Sequence, residues 1–305
     1  MIDNRNGPNF IILGPPKSGT SSLFYWLSSH PGICPSWKKE PFFLMDRDNP
    51  LRGRPNIHDD GPGAYSTVFP QDALDFKVRM EATTHYLFQS TALEYIGKNE
   101  GIRVAVVLRD PAARFYSSFN YTKHNLGLIP KNLMFGDFLQ LISNGIPLFP
   151  KYCLSSSSAF VLERDKLYGQ YANYLRPWIE RLGRDRIEII FFEDLRAGPE
   201  RVLNAIINSL GLPAFDFSNE FQKTYNLTQQ VRSQSIHRFV RKMNRKLRMP
   251  LPLKSRAARL YYAMQSQHGY DKNNDDQALQ DLRREYEPEI LALESLLDRS
   301  LEHWR

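Results

Sequence analysis

The densest group of side chains able to hold an anion is Lys17, Ser18, Gly19, Thr20, Ser21 and Ser22, which follow the short apolar run Phe10-Ile11-Ile12-Leu13 and the turn signal Gly14-Pro15-Pro16. The apolar run predicts a buried strand, and Leu23, Trp26 and Leu27 at helical spacing predict a helix over 20–29. A tight turn between the two leaves the first N–H groups of the helix without intrahelical partners, at the positive end of its dipole. Such a turn binds phosphate or a similar anion. Lys17 adds a point charge, the hydroxyls add donors, and Gly19 lets the backbone come close. Magnesium-dependent nucleotide loops read G-x-x-x-x-G-K-[ST], with lysine after the second glycine. Here Lys17 precedes Gly19 by two residues, which moves the ammonium to the other side of the bound anion. The bland alternative is an ordinary turn with a surface lysine.

A second constellation lies about 90 residues on. Val104 to Leu108 is continuously apolar, as in a strand buried on both faces of a parallel sheet. Arg109-Asp110-Pro111 ends it, and a helix begins with proline in its first turn. Together, P-K-S-G-T at 16–20 and R-D-P-A-A-R-F-Y-S at 109–117 resemble the sulfotransferases that use 3′-phosphoadenosine 5′-phosphosulfate (PAPS). The resemblance implies an α/β fold with a central, mainly parallel sheet flanked by helices, P-loop-like in its first turn. It implies that Lys17 to Ser22 cradle the 5′-phosphosulfate and that Arg109 and Ser117 grip the 3′-phosphate, with adenosine 3′,5′-bisphosphate as product. The physical case is sound, since an arginine fork pairs bidentately with phosphate and a helix-face hydroxyl completes the cage.

Softer matches extend the resemblance over nearly the whole chain. Lys39-Glu40-Pro41-Phe42-Phe43 is similar to a segment of the heparan-sulfate-type enzymes whose glutamate is the general base, which puts that role on Glu40. A base there is reasonable because a hydroxyl is a poor nucleophile until its proton is taken. The alternative is a solvated glutamate paired with Lys38 or Lys39. After the predicted strand 76–80, Glu81-Ala82-Thr83-Thr84-His85-Tyr86 departs from the family pattern by having Ala82 where a lysine near the sulfonate is expected. His85 lies where hormone- and phenol-type sulfotransferases keep a catalytic histidine, so it shares the base role, replaces Glu40, or is a hydrogen-bonded structural residue. Arg232 and Ser233 resemble an element that folds over the nucleotide. The glycine of the family's usual version of that element is absent here.

The remaining elements are architectural. Helices are predicted over 135–142, 162–182, 199–210 and 282–304, and a strand over 186–192. Tyr168 is either a nucleotide contact or a core tyrosine. Ser155 to Ser158 reads as flexible loop, and 45–70, rich in Asp, Asn, Gly and Pro, reads as a long surface loop. Segments 45–70 and 143–160 are expected to border the acceptor.

With 305 residues, 42% hydrophobic, the chain suits one large α/β domain, expected to occupy 1–305. Forty basic against 33 acidic residues give +7, which suits anionic ligands without requiring nucleic acid. Two cysteines, Cys34 and Cys153, make neither a disulfide framework nor a metal cluster, and no metal is expected. With no leader and no apolar run of membrane length, a cytoplasmic protein is expected. The basic stretch 232–259, amphipathic at its start, suits an anionic polymer, a membrane surface or packing on the protein body. The function expected is sulfonate transfer from PAPS to a hydroxyl of a sugar, lipid or small natural product. The rivals are an ATP-dependent kinase-like phosphotransferase, disfavoured by the missing G-K-[ST], and a non-catalytic PAPS- or anion-binding protein.

Overall fold

The computed structural model describes residues 7–221 and 273–305. Five strands form one parallel sheet: β1 Phe10–Gly14, β2 Ile33–Pro35, β3 Val78–Glu81, β4 Arg103–Leu108 and β5 Ile187–Phe191. Their order is β2-β3-β1-β4-β5, so the chain builds one side of β1 first and then crosses to the other. In open α/β sheets that switch point is where ligands bind, beyond the carboxyl ends of the strands.

The apolar run at β1 is a strand because both of its faces are covered. Phe10, Ile11, Ile12 and Leu13 are all fully buried, as are Val104 to Leu108 of β4. One core cluster joins Phe10, Ile12 and Ala105 to Leu23 and Leu27 of helix α1 (Thr20–Leu27), and to Leu195, Leu203, Ile206 and Ile207 of helices Phe192–Ala197 and Pro199–Ser209. Elsewhere the helices Ser90–Lys98 and Tyr171–Leu182 bury Tyr95, Ile96, Leu175 and Trp178, and the Trp178 indole donates to the Leu87 carbonyl at 3.0 Å.

The described residues divide into two compact units. One comprises 7–114, 170–221 and 288–304, and contains the sheet. The other comprises 115–169, 273–287 and 305. In the second, Phe115, Phe119, Phe135 and Phe138 form an aromatic cluster. Its buried Asp275, on helix Asn273–Leu297, accepts from the Phe135 N–H at 2.9 Å and the Tyr116 hydroxyl at 3.1 Å.

Several expectations are corrected, and one strand is unforeseen. Segment 45–70 is not simply surface loop: it contains the helix Ile57–Asp60 and the 3-10 turn Pro62–Val68, and buries Met45, Asn56 and Tyr65 completely. Ser155 to Ser158 begins a helix, Ser156–Asp165, because the Ser155 hydroxyl accepts the Ser158 N–H at 3.3 Å and caps it. The helix predicted over 162–182 is interrupted around Leu167–Gly169, where Tyr286 packs so closely on Gly169 that a Cβ there would meet its ring at 2.6 Å. Strand β2, three residues at the sheet edge, is not expected from the sequence.

Gly14 is the glycine on which this arrangement turns. Its φ is +115°, and a Cβ there would lie 1.9 Å from the Thr84 carbonyl oxygen. Gly14→Ala combines backbone strain with a backbone clash and is expected to cost at least ~3 kcal/mol in urea unfolding. Gly101→Ala, with nothing within 4 Å of the added carbon, should change stability by no more than about 0.5 kcal/mol.

Candidate active site

The turn from β1 into α1 runs close beneath neighbouring backbone. Lys17 is held at φ 68° and Gly19 at φ 89°, and Gly19, at the cap position of α1, offers the helix no side-chain cap. Ser18 is fully buried, and its Oγ has no hydrogen-bond partner among the described residues. A buried hydroxyl left unsatisfied is costly unless a ligand completes it. The Phe192 ring closes one side of the loop, 2.9 Å from where a Cβ of Gly19 would stand.

Arg109 ties the end of β4 to this loop. Its Nη1 donates to the Lys17 carbonyl at 2.9 Å, and its guanidinium lies 4.7 Å from the Phe192 ring centroid. The Tyr171 hydroxyl donates to the Arg109 carbonyl at 2.9 Å and is itself bonded to the buried Arg114. Burial, first of all, pushes the Tyr171 phenol up to about 12, so it remains a donor at neutral pH. Asp110 accepts from the N–H groups of Ala112 at 2.9 Å and Ala113 at 3.2 Å, which caps the helix Pro111–Asn120. Ser117 lies further along that helix and is partly exposed.

Glu40 arrives from the other side of β1. The ladder between β2 and β3 continues past Pro35, with Ser36 N–H donating to Met80 at 2.8 Å and Ala82 N–H to Lys39 at 2.9 Å. This register sets Lys39 and Glu40 at the end of β3. The Glu40 carboxylate takes the Lys39 ammonium at 2.8 Å and the Thr84 hydroxyl at 3.3 Å. Lys39 also reaches the Ala82 carbonyl at 3.4 Å and, across the loop, the Thr20 hydroxyl at 3.5 Å. The pairing with Lys39 named as the alternative is therefore present, with the Lys39 side chain 11% and the Glu40 side chain 30% exposed. His85 follows Thr84 and is buried at the start of the turn Tyr86–Phe88.

Beneath Glu40, a buried carboxyl fastens the segment that carries it. Glu81, fully buried, accepts from the Tyr65 hydroxyl at 2.6 Å and the Thr83 N–H at 2.7 Å. Tyr86 accepts the Leu44 N–H at 2.9 Å, and Phe43 stacks on Tyr65 with ring centroids 4.2 Å apart. Burial outweighs these hydrogen bonds and raises the Glu81 carboxyl from 4.5 to about 7.

Among the sequence-derived candidates, Lys17 to Ser22, Glu40 and Arg109 therefore gather around the carboxyl ends of β1, β3 and β4. Tyr168 is a buried side chain of the second unit. Arg232, Ser233 and the basic stretch 232–259 lie outside the described residues. The sequence marks Lys39 only as a neighbour of Glu40 and gives Glu81 and Tyr65 no role, because their roles come from pairings across the sheet rather than from local spacing. Among the described residues no group of three His, Cys, Asp or Glu could hold a metal ion, and no helix is long and apolar enough to cross a membrane.

The parallel α/β sheet carries at its switch point a turn suited to an anion, backed by arginine and faced by a carboxylate. The sulfotransferase domain family matches residues 7–246, and the chain belongs to that family. It is 28% identical over 226 residues to the human bifunctional heparan sulfate N-deacetylase/N-sulfotransferase 3, covering 69% of this chain. It is 23% identical over 220 residues to bifunctional heparan sulfate N-deacetylase/N-sulfotransferase 1 of Caenorhabditis briggsae, covering 70%. The matches cover 23% and 24% of those relatives, so the chain corresponds to about a quarter of their length. A sulfotransferase crystal structure from Alicyclobacillus acidocaldarius shares the fold, with TM-score 0.65, 22% identity and 98% of each chain covered.

The Glu81 carboxyl makes a pH test of the site's foundation. The folded protein keeps this proton up to about pH 7 whereas the unfolded chain releases it near 4.5, so Glu81 lowers stability as pH rises through that window. The loss is on the order of 3 kcal/mol, complete above pH 7. Denaturation of Glu81→Gln beside the parent should show the variant gaining by that amount between pH 4.5 and 7.

Proposed function

We propose that the protein transfers the sulfonate group of PAPS to a nucleophile on a carbohydrate, a hydroxyl or an amine. The observation that carries this reading is the buried, unpartnered Ser18 hydroxyl inside the turn from β1 into α1, beside Lys17 and with Arg109 behind the loop. The turn and its hydroxyls would hold the 5′-phosphosulfate and Arg109 the 3′-phosphate. On the motif alone, Ser117 is assigned to the 3′-phosphate too. The 3′-phosphate is what separates this nucleotide from ATP.

PAPS, when bound, supplies an activated sulfonate. The protein's own part is positioning and charge, as in phosphoryl transfer. Lys17 would neutralise negative charge that grows at the anion during transfer. Glu40 would take the acceptor's proton, with Thr84 fixing the orientation of its carboxylate and His85, next in sequence, as the second candidate base. The relatives named above are N-sulfotransferases of heparan sulfate, which favours a carbohydrate acceptor and keeps an amine beside a hydroxyl.

Two measurements test the reading. Calorimetric titration without added metal should give clear binding of adenosine 3′,5′-bisphosphate and at least about tenfold weaker binding of 5′-AMP, a preference that Arg109→Ala removes. Equal binding of both nucleotides, or binding of ATP with magnesium alone, would sink the PAPS assignment. Labelled PAPS offered with N-desulfated heparin and with N-acetylated heparosan separates amine from hydroxyl acceptors. Lys17→Ala and Glu40→Gln should each lower the transfer rate at least about 100-fold.

A further inference from the structure

A single ammonium, that of Lys39, reaches both halves of the site. Strand β3 ends at Glu81, and Ala82-Thr83-Thr84 after it bring no cation to the anion loop. Lys39 comes in along the neighbouring strand, fixed by the Ala82 N–H to Lys39 carbonyl bond at 2.9 Å, and its Nζ stands above that strand end. It lies 2.8 Å from Glu40 Oε1, 3.4 Å from the Ala82 oxygen and 3.5 Å from Thr20 Oγ1. Thr20 is the first residue of α1 and is itself buried, so an anion seated on that helix end is within reach of the same ammonium. A lysine ammonium has three donors and suits such sharing. Its neighbour Lys38 is exposed and makes a natural control.

We propose that Lys39 is the second cation of the site, shared between the Glu40 carboxylate and the 5′-anion of the nucleotide. It thereby couples occupancy of the anion loop to the charge balance of the base. The inference rests on the reading that this loop holds the 5′-phosphosulfate, and it assigns Lys39 as a residue that touches the donor as well as one that orients Glu40. A merely structural lysine would serve Glu40 and leave nucleotide affinity untouched.

The test needs no acceptor. Adenosine 3′,5′-bisphosphate and adenosine 3′-monophosphate are titrated calorimetrically into the parent, Lys39→Met, Glu40→Gln and the double variant, with Lys38→Met as control. A hydrogen bond to a charged group contributes enough that Lys39→Met should weaken the bisphosphate about tenfold or more, and Lys38→Met less than about twofold. The 3′-monophosphate, which lacks the 5′-anion, should not respond. Glu40→Gln should tighten the bisphosphate several-fold, and the double-mutant cycle should show that this gain needs Lys39 and vanishes in the double variant.

Unchanged bisphosphate affinity in Lys39→Met, or a Glu40→Gln gain that persists in the double variant, would overturn the proposal while leaving the PAPS reading intact. A parent that binds both nucleotides equally would instead remove the reading on which it rests. Should Lys39→Met fail to fold, as checked by its thermal melt, Lys39→Gln keeps a polar side chain of similar reach and is judged by the same cycle.

Discussion

The absence of a side chain at Gly14 is the constraint from which the site follows. Because the backbone of β1 turns directly against the Thr84 carbonyl, the ends of β1 and β3 meet with no side chain between them. The end of β3 is thereby set beside the turn from β1 into α1. Thr84 brings the Glu40 carboxylate, and Ala82 brings Lys39. On the other side of β1, the bond from Arg109 to the Lys17 carbonyl does the same for β4. The parallel order β2-β3-β1-β4-β5 makes β1 the strand that both groups can reach.

Charge in this site is organised by partial burial rather than by number. The loop offers backbone N–H groups and hydroxyls, which cannot be titrated away, and supplements them with Lys17, Lys39 and Arg109. Two of these cations are anchored differently: Arg109 by a carbonyl and an aromatic face, Lys39 by a carboxylate and a strand end. Farther in, Glu81 is a carboxyl that burial keeps largely protonated into the neutral range while two tyrosines and an N–H surround it. A fully buried network of this kind specifies one arrangement, because any other would leave its polar groups unsatisfied. The Glu40 segment is fixed through it, by way of Tyr86 and Leu44.

How much of this was legible in the sequence depends on how local each feature is. The turns after β1 and β4 were readable as strand–turn–helix units because their parts are contiguous, and Gly14-Pro15-Pro16 and Asp110-Pro111 punctuate them. Strands β1 and β4 were readable because burial on both faces leaves an unbroken apolar run. Strand β2 was not, since three residues containing a cysteine and a proline carry no period. Segment 45–70 looked like solvent-exposed loop because its polar residues outnumber the few anchors, and nothing local marks Tyr65 as the partner of a carboxyl 16 positions away. Lys39 read only as a neighbour of Glu40. Its reach to Thr20 and Ala82 depends on the register of β2 against β3, which a sequence does not display.

A crystal structure of the protein with adenosine 3′,5′-bisphosphate would show where the nucleotide sits. The 5′-phosphate is expected at the amino end of α1, within roughly 2.7–3.2 Å of the Ser18 hydroxyl and the first helix N–H groups, with the Arg109 guanidinium on the 3′-phosphate. A nucleotide seated away from this loop, or one whose 5′-phosphate leaves the Ser18 hydroxyl buried and untouched, would contradict that placement.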